Sequence, residues 1–596
     1  MGNSGLGLAK RHVTKGLAIL GQEVVIFIIS NMAAIVRAGQ TSVGICRLSC
    51  TFVIQSASVQ GGRFSNPPTS PSSNVVRHAK KHLINRQMKK SILLLTLLSL
   101  SPTVFSQSKN AFQEIEQKIQ SEIDKGTIPS ITIAVAKDGK VIYEKAFGWA
   151  DIEAKNKSTI NTSYQLASAS KPMTATGLMV LNHKKIIDID SSAISYMKPL
   201  SFKVYEGKAS DIKLRNLLNH TSGLGTYFDI SYADENGKKD NFEAGFNKYG
   251  NLFHPAGLIS EYSNLGYGLI DYIITKQSGK TYAQFMEQEV FNPLGMKNSF
   301  VQNTKRSDIQ IAKKYDSDLK ALPDVLNNTY GAGNIYSSIH DLILFGMFHL
   351  KNDVKNQKQI LNNAEIDLMH YYKDKNTLYH YYDSTIYGLG WYYKPNDNGY
   401  KIVWHEGGMM GASSMIKLIP EKNIAIAVII NTSNRQFCND ITNKLSKVVL
   451  PEYQPTPINE ETEIANYKSY TADSTYFGNW TGTIKVENLD IPCSMKFQPD
   501  GNIIITYLDF TYKSYFTQNN PIPHKTILLA GIINKESFIG MYPGTLPSKD
   551  IKKEFSQIMS LKLHKTNKTL SGTIVALAAS NREYYAYPFY IKLEKK

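Results

Sequence analysis

Cysteine is scarce in this 596-residue chain. Four residues with no Cys-x-x-Cys pair cannot build a disulfide scaffold or a thiolate zinc knuckle. Apolar runs of roughly 18 residues or more, the length a membrane-spanning helix needs, are also missing. Acidic side chains are nearly absent at the amino end, where the first 106 residues hold 12 Lys and Arg and the single acid Glu23. The formal net charge of +17 is therefore concentrated there. The remainder has no basic stripe interleaved with aromatics, which argues against DNA or RNA as a partner. What the chain does have is apolar and aromatic material, 42% hydrophobic residues with 35 Tyr and 24 Phe. That is enough to fill large cores, and the length implies more than one folding unit.

Met88-Lys89-Lys90 is followed by an apolar run to Leu100 and then by Ser101-Pro-Thr-Val104-Phe105-Ser106. A short cationic segment, a run of about ten apolar residues and small or branched residues before a cut after Ser106 spell a secretory signal peptide over 88–106. The run is too short to span a bilayer, and no Cys follows it for lipid attachment. Residues 1–87 are Ser/Gly/Arg-rich without periodicity and read as an over-called or disordered extension ahead of a start at Met88. The expected location is periplasmic or secreted, with no stable membrane insertion after cleavage.

The mature chain divides by texture. Residues 110–125 carry Phe112, Ile115, Ile119 and Ile123 at helical spacing, and 130–136 and 141–149 alternate around Asp138-Gly139, a hairpin signal. Helix and loop patterns dominate from about 168 to 350. Strands return at 400–404, 413–418 and 423–431, and a helix follows over 435–449. Strands at both ends of a helical middle predict one sheet assembled from both ends of a domain spanning 107–450. Residues 451–474, with Pro451, Pro455 and Pro457, read as a linker. Beyond it, short β-runs at 503–508, 526–533, 559–564, 572–578 and 584–593 predict an all-β domain over 475–596, a sandwich or small barrel. Cys438 and Cys493 fall in different domains and could be joined after export.

Ser168-Ala-Ser-Lys171 is the chemical centre of the sequence. On a helix, residues three apart share a face, so Lys171 can reach the Ser168 hydroxyl. A lysine works as a base only when burial lowers its pKa, and the run after Lys171 stays uncharged until Lys184. Ser-x-x-Lys alone is weak, since it recurs at Ser106, Ser210, Ser317 and Ser414. Tyr262-Ser-Asn264 adds a phenol able to pass a proton and an amide able to hold a substrate carbonyl and the lysine. His405-Glu-Gly-Gly408 adds a proton donor or cation near the tyrosine, and backbone N–H groups of Ser168 and Gly408 could form an oxyanion hole. Zinc-protease chemistry fails, because Met409 stands where HExxH needs its second His. The nucleophile elbow of α/β-hydrolases fails too, with Leu166 and Ser170 in place of its glycines.

The order Ser168-x-x-Lys171, Tyr262-x-Asn264, His405-x-Gly407 resembles the serine hydrolases of the class C β-lactamase and D-alanyl-D-alanine carboxypeptidase family. Leu217-Leu-Asn-His-Thr-Ser-Gly-Leu224, Gly331-Ala-Gly-Asn-Ile-Tyr-Ser-Ser338 with Asp341, and Tyr387-Gly-Leu-Gly-Trp391 match as well. The resemblance, over about 110–450, implies an α+β fold: an antiparallel sheet flanked by helices plus an all-helical lobe. It implies no cofactor or metal, Ser168 as nucleophile, and Lys171 and Tyr262 sharing acid/base work. Asn264, His405 and Gly407 become substrate contacts, and His220 a packing and capping residue. Tyr476-Phe-Gly-Asn-Trp480-Thr-Gly482 is similar to the opening of lipocalin-like modules appended to some members.

The function that follows is an exported hydrolase of small ester, amide or peptide substrates, with the oligomeric state left open. Glu406 replaces the hydroxyl residue usual in the third motif, and its charge would repel a substrate carboxylate, which favours esters and small amides over β-lactams. The rival reading is a catalytically silent penicillin-binding-like receptor or scaffold.

Overall fold

The computed structural model describes residues 112–232, 241–302, 304, 306–373, 378–380, 385–456, 474–499, 503–508, 510–513, 529–534, 536–551, 558–579 and 584–596. The extension, the signal-peptide pattern and residues 457–473 of the expected linker lie outside them.

Period-two alternation settles the central sheet. Its strands pair antiparallel in the order Leu378–His380, Thr385–Tyr387, Tyr392–Asp397, Tyr400–Met409, Ala412–Ile419, Ile424–Ile430, Ser130–Lys137, Lys140–Asp151 and Asn156–Lys157. The two ends of the expected 107–450 domain meet at the seam Ile131↔Ile430 to Lys137↔Ile424. On one face Ile131, Ile133, Val135, Ile426, Val428 and Ile430 pack beneath Ile115 and Ile119 of a helix over 112–124 and Ile441 and Leu445 of the helix Arg435–Val449. The other face of the seam carries Ala134, Ala136, Ala425 and Ala427. These small side chains admit the helix Ile339–His349 so closely that a methyl group added at Gly346 would sit 3.1 Å from the Ala425 Cβ.

Two helices form the heart of the lobe over this face. Lys171 through Leu181 and Leu265 through Ile274 are buried without interruption, as expected for helices enclosed on all sides.

The carboxy-terminal strands form an antiparallel sheet in the order Phe510–Lys513, Ile503–Tyr507, Leu489–Phe497, Gly478–Val486, Tyr584–Lys595, Thr569–Ala579, Ile558–Lys565, Ser537–Pro543 and Leu529–Asn534. Ile491, Cys493, Met495 and Phe497 point alternately inward with Trp480, Ile484 and Val486. This sheet does not stop at the domain border. Phe228–Tyr232 of the lobe pairs antiparallel with its strand Tyr584–Lys595 and, on its other side, with Val325–Asn327. Upstream, Tyr453 is fully buried and its hydroxyl donates to Asp397, which also accepts from Thr456, so residues 453–456 are docked on the sheet. Cys438 and Cys493 are both buried free thiols, which overturns the disulfide considered for them: each is enclosed in its own core.

A pair of buried imidazoles makes the fold acid-sensitive. His349 Nδ1 lies 3.1 Å from His370 Nε2, Thr176 caps the far nitrogen of His349 at 3.1 Å, and Trp391 packs edge-on against both rings. Burial pushes His370 down to about 3 and His349 well below the ordinary histidine value. As pH falls below about 6.5 the unfolded chain takes up protons that the native chain refuses, so stability present above that value is lost toward pH 3. Urea unfolding should show the decline across this window, with a shallower slope in His370→Gln; parallel slopes in both proteins would contradict the assignment.

Candidate active site

Ser168 sits on a strained turn. Tyr164–Gln165 pairs with Ile335–Ser337 and delivers the chain into a 3-10 turn, Ala167–Ser170, which runs directly into the helix Lys171–His183 with Pro172 in its first turn. Ala167, next to Ser168, has φ +48°, a left-handed conformation that costs a non-glycine residue about 1–2 kcal/mol. Its neighbours hold it there. The Leu166 carbonyl accepts the Ser414 hydroxyl at 2.6 Å, and the Ser170 hydroxyl accepts the Ile335 N–H at 3.1 Å. Ser168 itself is half-buried.

Lys171 is fully buried, and its Nζ lies 3.2 Å from Ser168 Oγ. Burial pushes the amine well below the ordinary lysine range. It donates a second hydrogen bond, at 2.7 Å, to the Ala332 carbonyl, a partner no side-chain motif could reveal. Asp271 accepts the Gly331 N–H at 2.6 Å and Thr174 donates to the Gly331 carbonyl at 2.7 Å, which fixes that stretch of backbone. Neither hydrogen bond of the amine goes to Asn264, contrary to the lysine contact expected of it. Asn264 is half-buried and opens the helix Asn264–Ser278, whose cap is Ser263.

Tyr262 lies over the amine, with Nζ of Lys171 4.7 Å from its ring centre. The loop carrying it is pinned by His220, itself left-handed at φ +62°. The His220 carbonyl accepts the Glu261 N–H at 2.8 Å, His220 Nδ1 accepts the Ser263 N–H at 3.1 Å, and the ring packs 4.2 Å from that of Tyr262. His220 thus brackets Tyr262 on both sides.

His405 departs from expectation. It is buried, and its Nδ1–H donates to the Glu406 carbonyl at 2.7 Å. A carbonyl can only accept, so Nε2 carries the lone pair and accepts the Tyr387 hydroxyl at 2.8 Å. Burial, with Lys171 adding to it, pushes the imidazole down to about 3. His405 is a neutral support for Tyr387, whose ring packs against His220 and Tyr262, and it is not the expected cation.

The glycines after it serve packing. A methyl group on Gly407 would sit 2.0 Å from the Leu166 carbonyl and 3.1 Å from the Ala169 nitrogen, so this strand presses directly on the Ser168 turn. Strand alternation turns Glu406 to Arg435, with which it forms an ion pair, and the Arg435 side chain covers Gly408. A paired carboxylate repels far less, which removes the ground for disfavouring a substrate carboxylate. Tyr392–Asp397 pairs with the strand Tyr400–Met409 only as far as Trp404, so 405–409 have a sheet partner on one side alone. Beside the turn, Ala167, Met409, Ala412, Tyr232 and Val325 form an apolar cluster bordered by half-buried Phe228, Leu322 and Met410. No group of three or more His, Cys, Asp or Glu suited to a metal occurs among the described residues.

Residues 115–448, more than half of the chain, match the family model described as Beta-lactamase. The chain belongs to the β-lactamase family. Penicillin-binding protein 4* of Bacillus subtilis (strain 168) is 28% identical to it over 389 residues, 60% of this chain and 79% of that protein. Protein flp of Staphylococcus aureus (strain MW2) is 26% identical over 369 residues, 60% of this chain and 68% of that protein. The octameric penicillin-binding protein homologue from Pyrococcus abyssi matches in fold over 80% of this chain and 100% of its own, with TM-score 0.50 and 21% identity. SurE covers 82% of this chain and 100% of its own, with TM-score 0.56 and 15% identity. These fold likenesses span more of the chain than the family model does. The penicillin-binding-protein-like β-lactamase fold therefore combines here with a carboxy-terminal β-sheet unit.

In this β-lactamase-family chain the Tyr387 hydroxyl is the support of His405. Tyr387→Phe should cost about 1–3 kcal/mol in chemical unfolding by leaving a buried nitrogen without its donor. An unchanged unfolding curve would show that the His405 link contributes nothing.

Proposed function

We propose that this chain is an exported serine hydrolase that forms an acyl-enzyme on Ser168 and cleaves small ester or amide substrates. One observation carries the reading: a desolvated lysine amine stands 3.2 Å from a half-buried serine hydroxyl at the entry to a helix. With its amine neutral, Lys171 takes the Ser168 proton on its lone pair while one N–H stays on Ala332. Oγ attacks the substrate carbonyl carbon, and backbone N–H groups of Ser168 and Gly408 hold the oxyanion. The proton passes by way of Tyr262 to the leaving group as its bond to carbon breaks. Water then attacks the acyl ester, and Oγ regains a proton as the acid departs. Asn264 contacts the substrate, and Gly407 brings the strand edge up to it.

The apolar cluster beside Ala167 favours an apolar acyl group. Glu406 no longer argues against a β-lactam, so a chromogenic cephalosporin belongs beside p-nitrophenyl esters and D-alanyl peptides in a substrate comparison. A lipocalin-like role for the carboxy-terminal sheet rests on the Tyr476–Gly482 pattern.

A fluorophosphonate probe should label the wild-type chain and leave Ser168→Ala unlabelled. The labelling rate should rise with pH and level off well below the ordinary lysine range, without an inflexion near pH 6.5 that an imidazole base would impose. Labelling that persists in Ser168→Ala, or never occurs in the wild type, would leave the silent-receptor reading in its place. Export is tested at the amino terminus of the protein recovered outside the cytoplasm, which should begin at Gln107; a start upstream of Met88 would overturn it.

A further inference from the structure

Glu261, the residue before Tyr262, is a buried carboxylate held by Thr573 of the carboxy-terminal sheet together with His254 and Thr226 of the lobe. Its Oε2 accepts the Thr573 hydroxyl at 2.8 Å and lies 3.3 Å from His254 Nε2. Its Oε1 accepts the Thr226 N–H at 3.1 Å. His254 Nε2 is also 3.2 Å from Thr573 Oγ1, and its Nδ1 is 3.2 Å from His564 Nδ1. His564 reaches Glu206 at 3.2 Å, and Tyr590 donates to the other oxygen of Glu206 at 2.7 Å. Lys562, also on the sheet, donates to the Ser260 carbonyl, one residue further up the same loop. Gly572 makes room for this contact, since a methyl group there would meet His254 Cε1 at 2.4 Å.

A buried ionic network is a poor source of stability, because apolar residues of similar shape often serve as well or better. Its geometric effect is specific. Ser260 and Glu261 are held by the sheet from below, while His220 holds Glu261 and Ser263 through their N–H groups. Tyr262 is the residue between these anchors, and a displacement of about 1 Å at a reacting group can cost about 100-fold in rate.

We infer that Thr573 and Lys562 of the carboxy-terminal sheet are positioning residues of the active site, which set the placement of Tyr262 over Lys171 through Glu261 and Ser260. The inference rests on the acyl-enzyme reading only for its catalytic consequence; the clamp itself is a matter of geometry.

The test compares full-length wild type with Thr573→Val, which keeps the shape and removes the hydroxyl, and Thr573→Ser, which restores it. Thr573→Val should lower the rate of Ser168 acylation by fluorophosphonate, and kcat on a p-nitrophenyl ester, by about 10-fold or more with KM within about twofold. Thr573→Ser should return both toward wild type. Independently of activity, hydrogen exchange at the Glu261 and Ser263 amides should quicken about tenfold in Thr573→Val. Unchanged exchange overturns the clamp, and quickened exchange with wild-type acylation overturns its catalytic role. Quickened exchange in a chain whose wild type never labels sinks the hydrolase reading and leaves the clamp standing. Should Thr573→Val fail to fold, Lys562→Met carries the same expectations through the Ser260 carbonyl.

Discussion

A primary amine kept out of water beside a hydroxyl is the constraint around which the rest of the site is arranged. A cationic ammonium is costly to bury, and burial alone is what lowers the Lys171 pKa here. Its nearest fixed partner is a backbone carbonyl, which can orient one N–H without bringing the full negative charge that would hold the proton in place. A carboxylate does stand further back. Asp271 fixes the Gly331 N–H, and its own burial pushes its pKa well above the ordinary aspartate value.

Desolvation demands close packing, and the glycines after His405 supply it. The strand Tyr400–Met409 lies so near the Ser168 turn that no side chain fits at Gly407, and the Ser414 hydroxyl on the next strand ties the same Leu166 carbonyl. Ala167 accepts an unfavourable backbone conformation under this pressure. Strain beside Ser168 persists only where the surroundings over-determine it, and here three strands do so.

Much of this was legible in the chain itself. The alternation in 130–136 and the strand pattern over 423–431 marked a sheet built from both ends of the domain, though not which face would take the closely packed helix. Ser168, Lys171 and Tyr262 could be singled out because their chemistry resides in side chains at telling spacings. Ala332 could not, since its contribution is a carbonyl that every residue possesses. His405 was assigned to the pocket from its place in a motif, whereas its ring is spent on Tyr387 and its own backbone. Tyr392–Asp397 escaped notice because Pro395 and the exposure of residues 395 and 396 break the alternating pattern. The strand Phe228–Tyr232 escaped because its partner lies more than three hundred residues away.

That last strand has a consequence for how such a protein could be recombined. The lobe and the carboxy-terminal unit share a ladder in which Ile230 faces Tyr584 and Phe228 faces Ala586. Grafting another β-module onto this lobe would need that registration reproduced, because a slip by one residue would turn Ile230 outward and bring Asp229 into its place. A fusion joined only through the connecting peptide would leave an open edge beside the apolar cluster at Ala167, inviting another chain to add itself there.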